Sequence, residues 1–124
     1  MARTATKTGQ IQIGESGLTP ELVQTVSAAT GTITANTQGK KVQAASTGPT
    51  ALSLGGVTSA AFINIKGIDA TTLAAKNFVA TVNGLALPTM SELTLLSQTN
   101  SITSISLTTE AGNSTEFEFI VAGI

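Results

Sequence analysis

The sequence predicts an all-β protein: a single antiparallel β-sandwich or jelly-roll-like domain of about eight or nine short strands, preceded by an extended N-terminal arm. Apolar and polar residues alternate with a period of two in many short segments. Turn signals rich in Gly, Asn and Pro separate these segments, and no segment shows the helical pattern that a parallel α/β sheet requires. We expect the arm at residues 1–17 and the sandwich at residues 18–124.

The arm differs in composition from the remainder of the chain. Residues 1–9 are small, polar and mildly basic, and Ile11-Gln12-Ile13 is a short alternating piece. Terminal segments of this kind are ordered mainly when another surface holds them. The arm is therefore the first candidate for an interface, with these candidate contact residues: Arg3, Lys7, Ile11 and Ile13.

After the arm, Thr19-Pro20-Glu21-Leu22 carries the signature of a helix start, which predicts a turn or a short helix. From Val23 onward the period is two. Asn83-Gly84 is a hairpin signal, because both residues accept positive φ. We expect strands at residues 31–35, 42–44, 52–54, 60–66, 77–82, 85–87, 93–95, 102–108 and 116–121. Further turns are expected at Gln38-Gly39, Thr47-Gly48-Pro49, Gly55-Gly56, Lys66-Gly67 and Ala111-Gly112-Asn113, and Ala70–Lys76 has room for one helical turn.

The last strand shows the clearest alternation. Phe117, Phe119 and Val121 fall on one side, which we expect to enter the core, whereas Glu116 and Glu118 begin a solvated side. The change to an apolar residue at Ile120 indicates that the outer side becomes covered towards the end of the strand. That cover is either the fold itself or a second subunit, so Ile120 is the fifth candidate contact residue.

The composition argues against an enzyme. The chain has no His and no Cys, which removes His-based and thiol nucleophile systems and most zinc and iron sites. We therefore expect no catalytic, metal-binding or cofactor-binding residues and no cofactor. Asp69, the one aspartate, is expected to accept backbone N–H groups in a turn. Lys40-Lys41 is interpreted as a pair at a loop tip, either solvated or guarding a neighbouring strand edge.

Charge and hydropathy also restrict the partners. The net charge is −1 and the six cations are dispersed, so no basic surface for nucleic acid is expected. No apolar run reaches the length of a membrane span, and the N-terminus has no secretory signal, which predicts use without export. Only 10% of residues are charged, a composition that favours association with other subunits. It also suits an extracellular β-domain with an exposed threonine-rich face.

Residues Val57–Thr72 (VTSAAFINIKGIDATT) resemble a pattern in small virion proteins of tailed bacteriophages of the capsid decoration, or cement, type. In those proteins a strand of small and hydroxyl residues carries an aromatic residue and an Asn, and a turn with Asp and Thr follows. Further strands lead to a short closing strand of aromatic and aliphatic residues, here Phe117–Val121. Leu73–Lys76 departs from the pattern by separating the turn from Asn77-Phe78. The resemblance covers residues 57–124.

This resemblance implies a β-sandwich, often trimeric, that binds the outside of a phage head where capsomers meet. The implied partners are the major capsid protein and further copies of this chain. The implied location is the capsid surface, after synthesis in the host cytoplasm. Two alternatives remain at this stage: another virion part, such as a tail, neck or fibre module, and a bacterial adhesin-like or pilin-like sandwich.

Overall fold

In the residues that the computed structural model describes, the secondary structure consists of ten antiparallel strands. The structure describes residues 6–13, 22–29, 33–97 and 99–124, with the backbone alone for the first two ranges. The strands are β1 Thr6–Ile13, β2 Leu22–Ala29, β3 Ala35–Gln43, β4 Thr50–Ala51, β5 Ala60–Asp69, β6 Phe78–Val82, β7 Leu85–Ala86, β8 Glu92–Leu96, β9 Ile105–Thr109 and β10 Thr115–Gly123.

Eight of these strands build a β-sandwich. The first sheet has the order β3-β10-β5-β8 and the second sheet has the order β4-β9-β6-β7. A common core of buried apolar side chains from both sheets lies between them. Strands β1 and β2 form a separate antiparallel pair, in register from Thr6–Ala29 to Ile13–Leu22. The predicted all-β fold class is confirmed.

The N-terminal predictions fall partly outside the described residues. Residues 6–13 of the predicted arm form β1, which is hydrogen-bonded to β2. Thr19-Pro20-Glu21 lies outside the described residues, and Leu22 begins β2. The turn or short helix predicted there therefore does not include Leu22, which begins a segment rich in β-branched residues that favours a strand.

Several predicted strands in the sandwich appear with small shifts at their ends, whereas the strands predicted at residues 31–35 and 42–44 meet only the two ends of one longer strand, Ala35–Gln43. The hairpin at Asn83-Gly84 is confirmed: φ is 49° at Asn83 and 83° at Gly84, and Val82 pairs with Leu85. The prediction of a strand at residues 52–54 is wrong, because the strand is Thr50–Ala51 and Leu52 already enters the core. Ala70–Lys76 is a turn and loop, without a helix.

Two predicted turns, at Gln38-Gly39 and Lys66-Gly67, are wrong, because both lie within strands. Each glycine leaves space for an aromatic ring. Gly39 lies opposite Phe119, and a Cβ there would sit 3.4 Å from the Phe119 ring. Gly67 is buried opposite Phe117, beside Phe78. Glycine in a strand interior often marks such a close approach.

The centre of the core is an aromatic pair from opposite sheets. The rings of Phe78 and Phe117 are both fully buried, 5.1 Å apart between centroids and perpendicular, an arrangement that aromatic quadrupoles favour. Phe78 approaches β5 so closely that a Cβ on Gly67 would lie 2.7 Å from its Cδ1 atom and 2.6 Å from the carbonyl oxygen of Lys76. Gly67 therefore fixes how near β6 lies to β5.

A smaller apolar cluster covers the outer side of the first sheet at one end. Ile33 packs there with Ala61, Phe62 and Ala122, and Leu96 lies against them. The backbone N–H of Thr34 donates to the Gly123 carbonyl at 2.8 Å, which holds the segment in place. At this end the first sheet is therefore buried on both sides.

Buried polar side chains join the β3–β4 connection to β9. The Gln43 amide nitrogen donates to the carbonyl oxygens of Thr47 and Leu107, both at 2.9 Å. The Thr109 hydroxyl donates to the Ala44 carbonyl at 2.6 Å and accepts from the Thr47 N–H at 3.0 Å. In contrast, the fully buried Thr115 hydroxyl has no hydrogen-bond partner among the described residues.

We expect Gly67→Ala to lower the free energy of unfolding by about 1–3 kcal/mol, because the added methyl group overpacks the contact with Phe78. Gly56→Ala is the matched control, since nothing lies within 4 Å of a Cβ at Gly56, and we expect a change within about 0.5 kcal/mol. Urea unfolding followed by circular dichroism measures both. Equal midpoints for the two variants would contradict the close approach at Gly67.

A second pair of variants tests the buried hydroxyls. Thr115→Val removes a buried hydroxyl without a partner, so we expect a neutral or stabilising effect. Thr109→Val removes a hydroxyl that satisfies two backbone groups, and we expect a loss of about 1–3 kcal/mol. If Thr115→Val proves the more destabilising of the two in urea unfolding, the described hydrogen bonding is incorrect.

Candidate functional site

The outer side of the first sheet carries a row of charged residues that crosses all four strands. Lys40 on β3 lies opposite Glu118 on β10, Glu118 lies opposite Lys66 on β5, and Lys66 lies opposite Glu92 on β8. Directly opposed residues in an antiparallel sheet project to the same side, so the four side chains form one row. We name this side of the sheet the charged face.

The ion pair within this row is weak. Lys40 Nζ lies 3.6 Å from Glu118 Oε1, and the side chains are 64% and 42% exposed. Pairs with this exposure contribute about 0–1 kcal/mol. Lys66 is exposed, and among the described residues no carboxylate lies within ion-pair distance of it. Lys66, at the centre of the row, is therefore available for contacts beyond the domain.

Beside the charged row lies a second row with polar and apolar members. Ile120 on β10 lies between Gln38 on β3 and Asn64 on β5. The Asn64 amide nitrogen donates to the Thr94 hydroxyl at 2.7 Å, which fixes its orientation. The two rows border a shallow groove of about 470 Å³, lined by Gln38, Gly39, Lys40, Asn64, Lys66, Glu118, Phe119 and Ile120.

Ile120 is the one candidate contact residue whose side chain the structure describes. It is 44% exposed on the charged face. The sequence predicts that the outer side of β10 becomes covered towards its end. The covered part begins at Ala122, which is 5% exposed and packs with Ile33 and Phe62. The fold thus covers the end of β10 and leaves Ile120 accessible.

The other candidate contact residues give no side-chain geometry. Arg3 lies outside the described residues. Lys7, Ile11 and Ile13 lie in β1, where the description is of the backbone alone. Their proposed role as contacts stays a prediction.

The interpretation of Lys40-Lys41 as a loop-tip pair is wrong, because both residues lie inside β3. Within the part of the chain that the structure describes, β3 is an edge strand of the first sheet. Lys41 Nζ donates to the Ala51 carbonyl at 3.1 Å, and Lys40 points to the charged face. Lysines on an edge strand discourage unwanted pairing with other strands.

At the end of the sandwich, Asp69 organises the loop that connects β5 to β6. Its Oδ1 atom accepts the N–H groups of Thr71 at 2.8 Å and Thr72 at 2.9 Å, as the sequence predicts. The Asn113 amide nitrogen donates to both carboxylate oxygens, at 3.2 and 3.1 Å. The Leu73 N–H donates to the Asp69 carbonyl at 2.8 Å. Asp69 thus holds its own loop and joins it to the β9–β10 loop.

The same loop displays Leu73 to solvent in an unfavourable backbone conformation. Leu73 has φ of 64° and is 66% exposed. Positive φ is uncommon for a residue other than glycine and costs of order 1 kcal/mol. The loop around it, residues 71–75, is exposed throughout. The sequence alone gives no signal for the conformation of Leu73, since only the folded loop sets its φ.

Hydrogen bonding lowers the pKa of Asp69 below its ordinary value of 3.8. The backbone N–H of Thr72 contributes most, followed by that of Thr71, and the Asn113 amide and the Lys76 charge act in the same direction. These groups favour the ionised carboxylate. The charge of Asp69 is therefore part of what holds the loop.

Comparison with protein-family models, with curated proteins and with solved structures gives no match for this chain. The resemblance of residues Val57–Thr72 and the surface of the sandwich are therefore the two grounds for a function. Among the described side chains, no three potential ligands come together to hold a metal ion. The described part of the chain contains no helix that is long and apolar enough to cross a bilayer.

We expect Asp69→Asn to lower the urea midpoint at neutral pH. A group with a lowered native pKa stabilises the fold above its unfolded pKa, and this contribution is lost as the pH falls through the native pKa. The difference between wild type and Asp69→Asn should therefore shrink below pH 3.8.

Glu116→Gln is the control, at a carboxylate that makes no hydrogen bond to the described residues, and its midpoint should stay near that of wild type. A difference at Asp69 that persists unchanged to low pH would show that the carboxylate charge plays no part.

Proposed function

We propose that this chain is a bacteriophage capsid decoration protein that binds the outer head shell and stabilises it through subunit contacts. Two arguments support the proposal: the resemblance of residues Val57–Thr72 to such proteins, and a rigid sandwich that presents an apolar anchor at one end. The observation that carries it furthest is Leu73, exposed on a loop that Asp69 holds in place.

An exposed leucine in a fixed loop suits docking to another protein. Strained backbone conformations cluster at active sites, ligand clamps and switch regions, where the surrounding structure keeps them in place. Five hydrogen bonds to Asp69 order the loop before binding, so little conformational entropy is lost on contact. Leu73 can therefore act as an anchor that enters a pocket on the capsid protein.

The low charge of the chain fits this role. With 10% charged residues, the surface loses little charge hydration when it is covered. Burial of apolar surface contributes about 25 cal/mol per Å², so some hundreds of Å² per copy offset several kcal/mol of shell strain or internal pressure. Many copies on one shell add these contributions.

The N-terminal segment supplies further contacts in this proposal. Arg3, Lys7, Ile11 and Ile13 would bind the shell or a neighbouring copy, and ordering of the segment would accompany binding. Attachment through two regions of one chain raises the overall affinity above that of either region. The protein would act on the virion surface as a homo-oligomer, in the trimeric form that the resemblance implies.

We expect Leu73→Asn to weaken binding to empty heads of the phage that encodes the chain by about 10- to 100-fold, since burial of a leucine side chain is worth roughly 1.5–3 kcal/mol. Asn tolerates positive φ, so the variant should fold at least as stably as wild type. Co-sedimentation with the heads measures the affinity.

Leu85→Asn is the matched control. Leu85 is 68% exposed but follows β6, whereas Leu73 precedes it, so the two leucines lie at opposite ends of that strand. We expect Leu85→Asn to bind like wild type. Failure of wild type to sediment with heads would overturn the proposal. Labelling of tails or necks in electron microscopy would favour another virion part.

A further inference from the structure

The row of four charged residues on the charged face is complementary in charge to the same row taken in the opposite order. From β3 to β8 its residues are Lys40, Glu118, Lys66 and Glu92, so the signs run plus, minus, plus, minus. From β8 to β3 the signs are reversed at every position. We propose that the charged face binds the charged face of a second copy of this chain.

The sign pattern selects one two-fold arrangement. Strands in a sheet are about 4.8 Å apart, so the four charges are evenly spaced. A two-fold axis that runs parallel to the strands, midway between β10 and β5, places Glu118 over Lys66 of the second copy. The same operation places Lys66 over Glu118 of the second copy. It also places Lys40 and Glu92 of one copy over Glu92 and Lys40 of the other. Such a contact is isologous, as closed dimers require.

The other face-to-face two-fold arrangement is unfavourable. An axis parallel to the charged row would place each residue over its own copy, Lys66 over Lys66 and Glu118 over Glu118. Directly opposed like charges are repulsive and suppress wrong pairings. The row therefore specifies the orientation of the second copy as well as permitting the contact.

The local geometry suits the contact. Facing sheets pack about 10 Å apart, a gap that extended Lys and Glu side chains span together. Lys40 Nζ lies 3.6 Å from the Oε1 atom of Glu118, and Glu118 is 42% exposed, so its carboxylate can also face Lys66 of the second copy. Lys66 is exposed, with no ion-pair partner in the described part of the chain. Both Lys66 and Glu118 lie on the strands next to the axis. Sheet twist therefore moves these two residues least from their positions opposite the second copy.

Ile120 adds an apolar contact beside these ion pairs. It lies on β10 two residues after Glu118, on the same side of the sheet and 44% exposed. In the proposed arrangement the two copies of Ile120 lie on either side of the axis, about one strand spacing apart in projection. They would exclude water from one side of the charged contacts, which strengthens them.

This surface is independent of the proposed shell contact, which lies at the end of the sandwich around Leu73. The threefold assembly that the resemblance implies has a different symmetry and therefore needs a different surface. Failure of shell binding would leave the two-fold contact untouched, and the reverse also holds.

Sedimentation equilibrium and native mass spectrometry of the full chain test the contact. We expect wild type to dimerise in low salt and to dissociate progressively as salt screens the pairs. Glu118→Lys alone and Lys66→Glu alone should each weaken dimerisation about tenfold or more, because each variant places like charges together twice. An equimolar mixture of the two single variants should form the heterodimer, since opposite charges then face each other again.

Glu116→Lys is the matched control, with the same change of charge on the same strand and side of the sheet, opposite Ile68 rather than a charged residue. We expect it to dimerise like wild type. Because Glu118 and Lys66 are also neighbours within one sheet, urea midpoints confirm that each variant is folded. A monomeric wild type at millimolar concentration, an assembly unaffected by Glu118→Lys, or a mixture without the heterodimer would overturn the proposal.

Discussion

The close approach of the two sheets at Gly67 is the contact on which the sandwich depends. The chain has four Phe and neither Trp nor Tyr, so few large side chains are available to fill the space between sheets. Phe78 and Phe117 meet edge to face in that space, and the missing side chain of Gly67 lets Phe78 lie against β5. The remaining core is built from Ile, Leu, Val and Ala packed around this pair.

The sequence predicts the fold class because period-two alternation and paired turn residues are local signals. Asn83-Gly84 is correctly interpreted, since two adjacent residues that accept positive φ have few uses besides a tight hairpin. Gly39 and Gly67 are misinterpreted as turns. A glycine needed for its backbone freedom and a glycine needed for space look the same in a single sequence, and only the neighbouring ring distinguishes them.

Features of the surface likewise divide into local ones, which the sequence predicts, and long-range ones, which it does not. The hydrogen bonds of Asp69 to Thr71 and Thr72 are predictable, because they join residues two and three positions apart. The exposed side formed by Glu116 and Glu118 is also readable from alternation. The row from Lys40 through Glu118 to Lys66 is not, because residues far apart in the chain become neighbours only through strand register. The positive φ of Leu73 likewise arises from the folded loop. These long-range features carry the proposed contacts with the shell and with a second copy.

We propose that this sandwich works by fitting its surfaces to other proteins on a phage head. The most direct test is a cryo-electron microscopy reconstruction of heads incubated with the full chain. We expect density on the outer shell where capsomers meet, with the Leu73 end of each sandwich against the capsid protein. Density confined to the tail or neck, or sandwiches bound with Leu73 directed away from the shell, would contradict it.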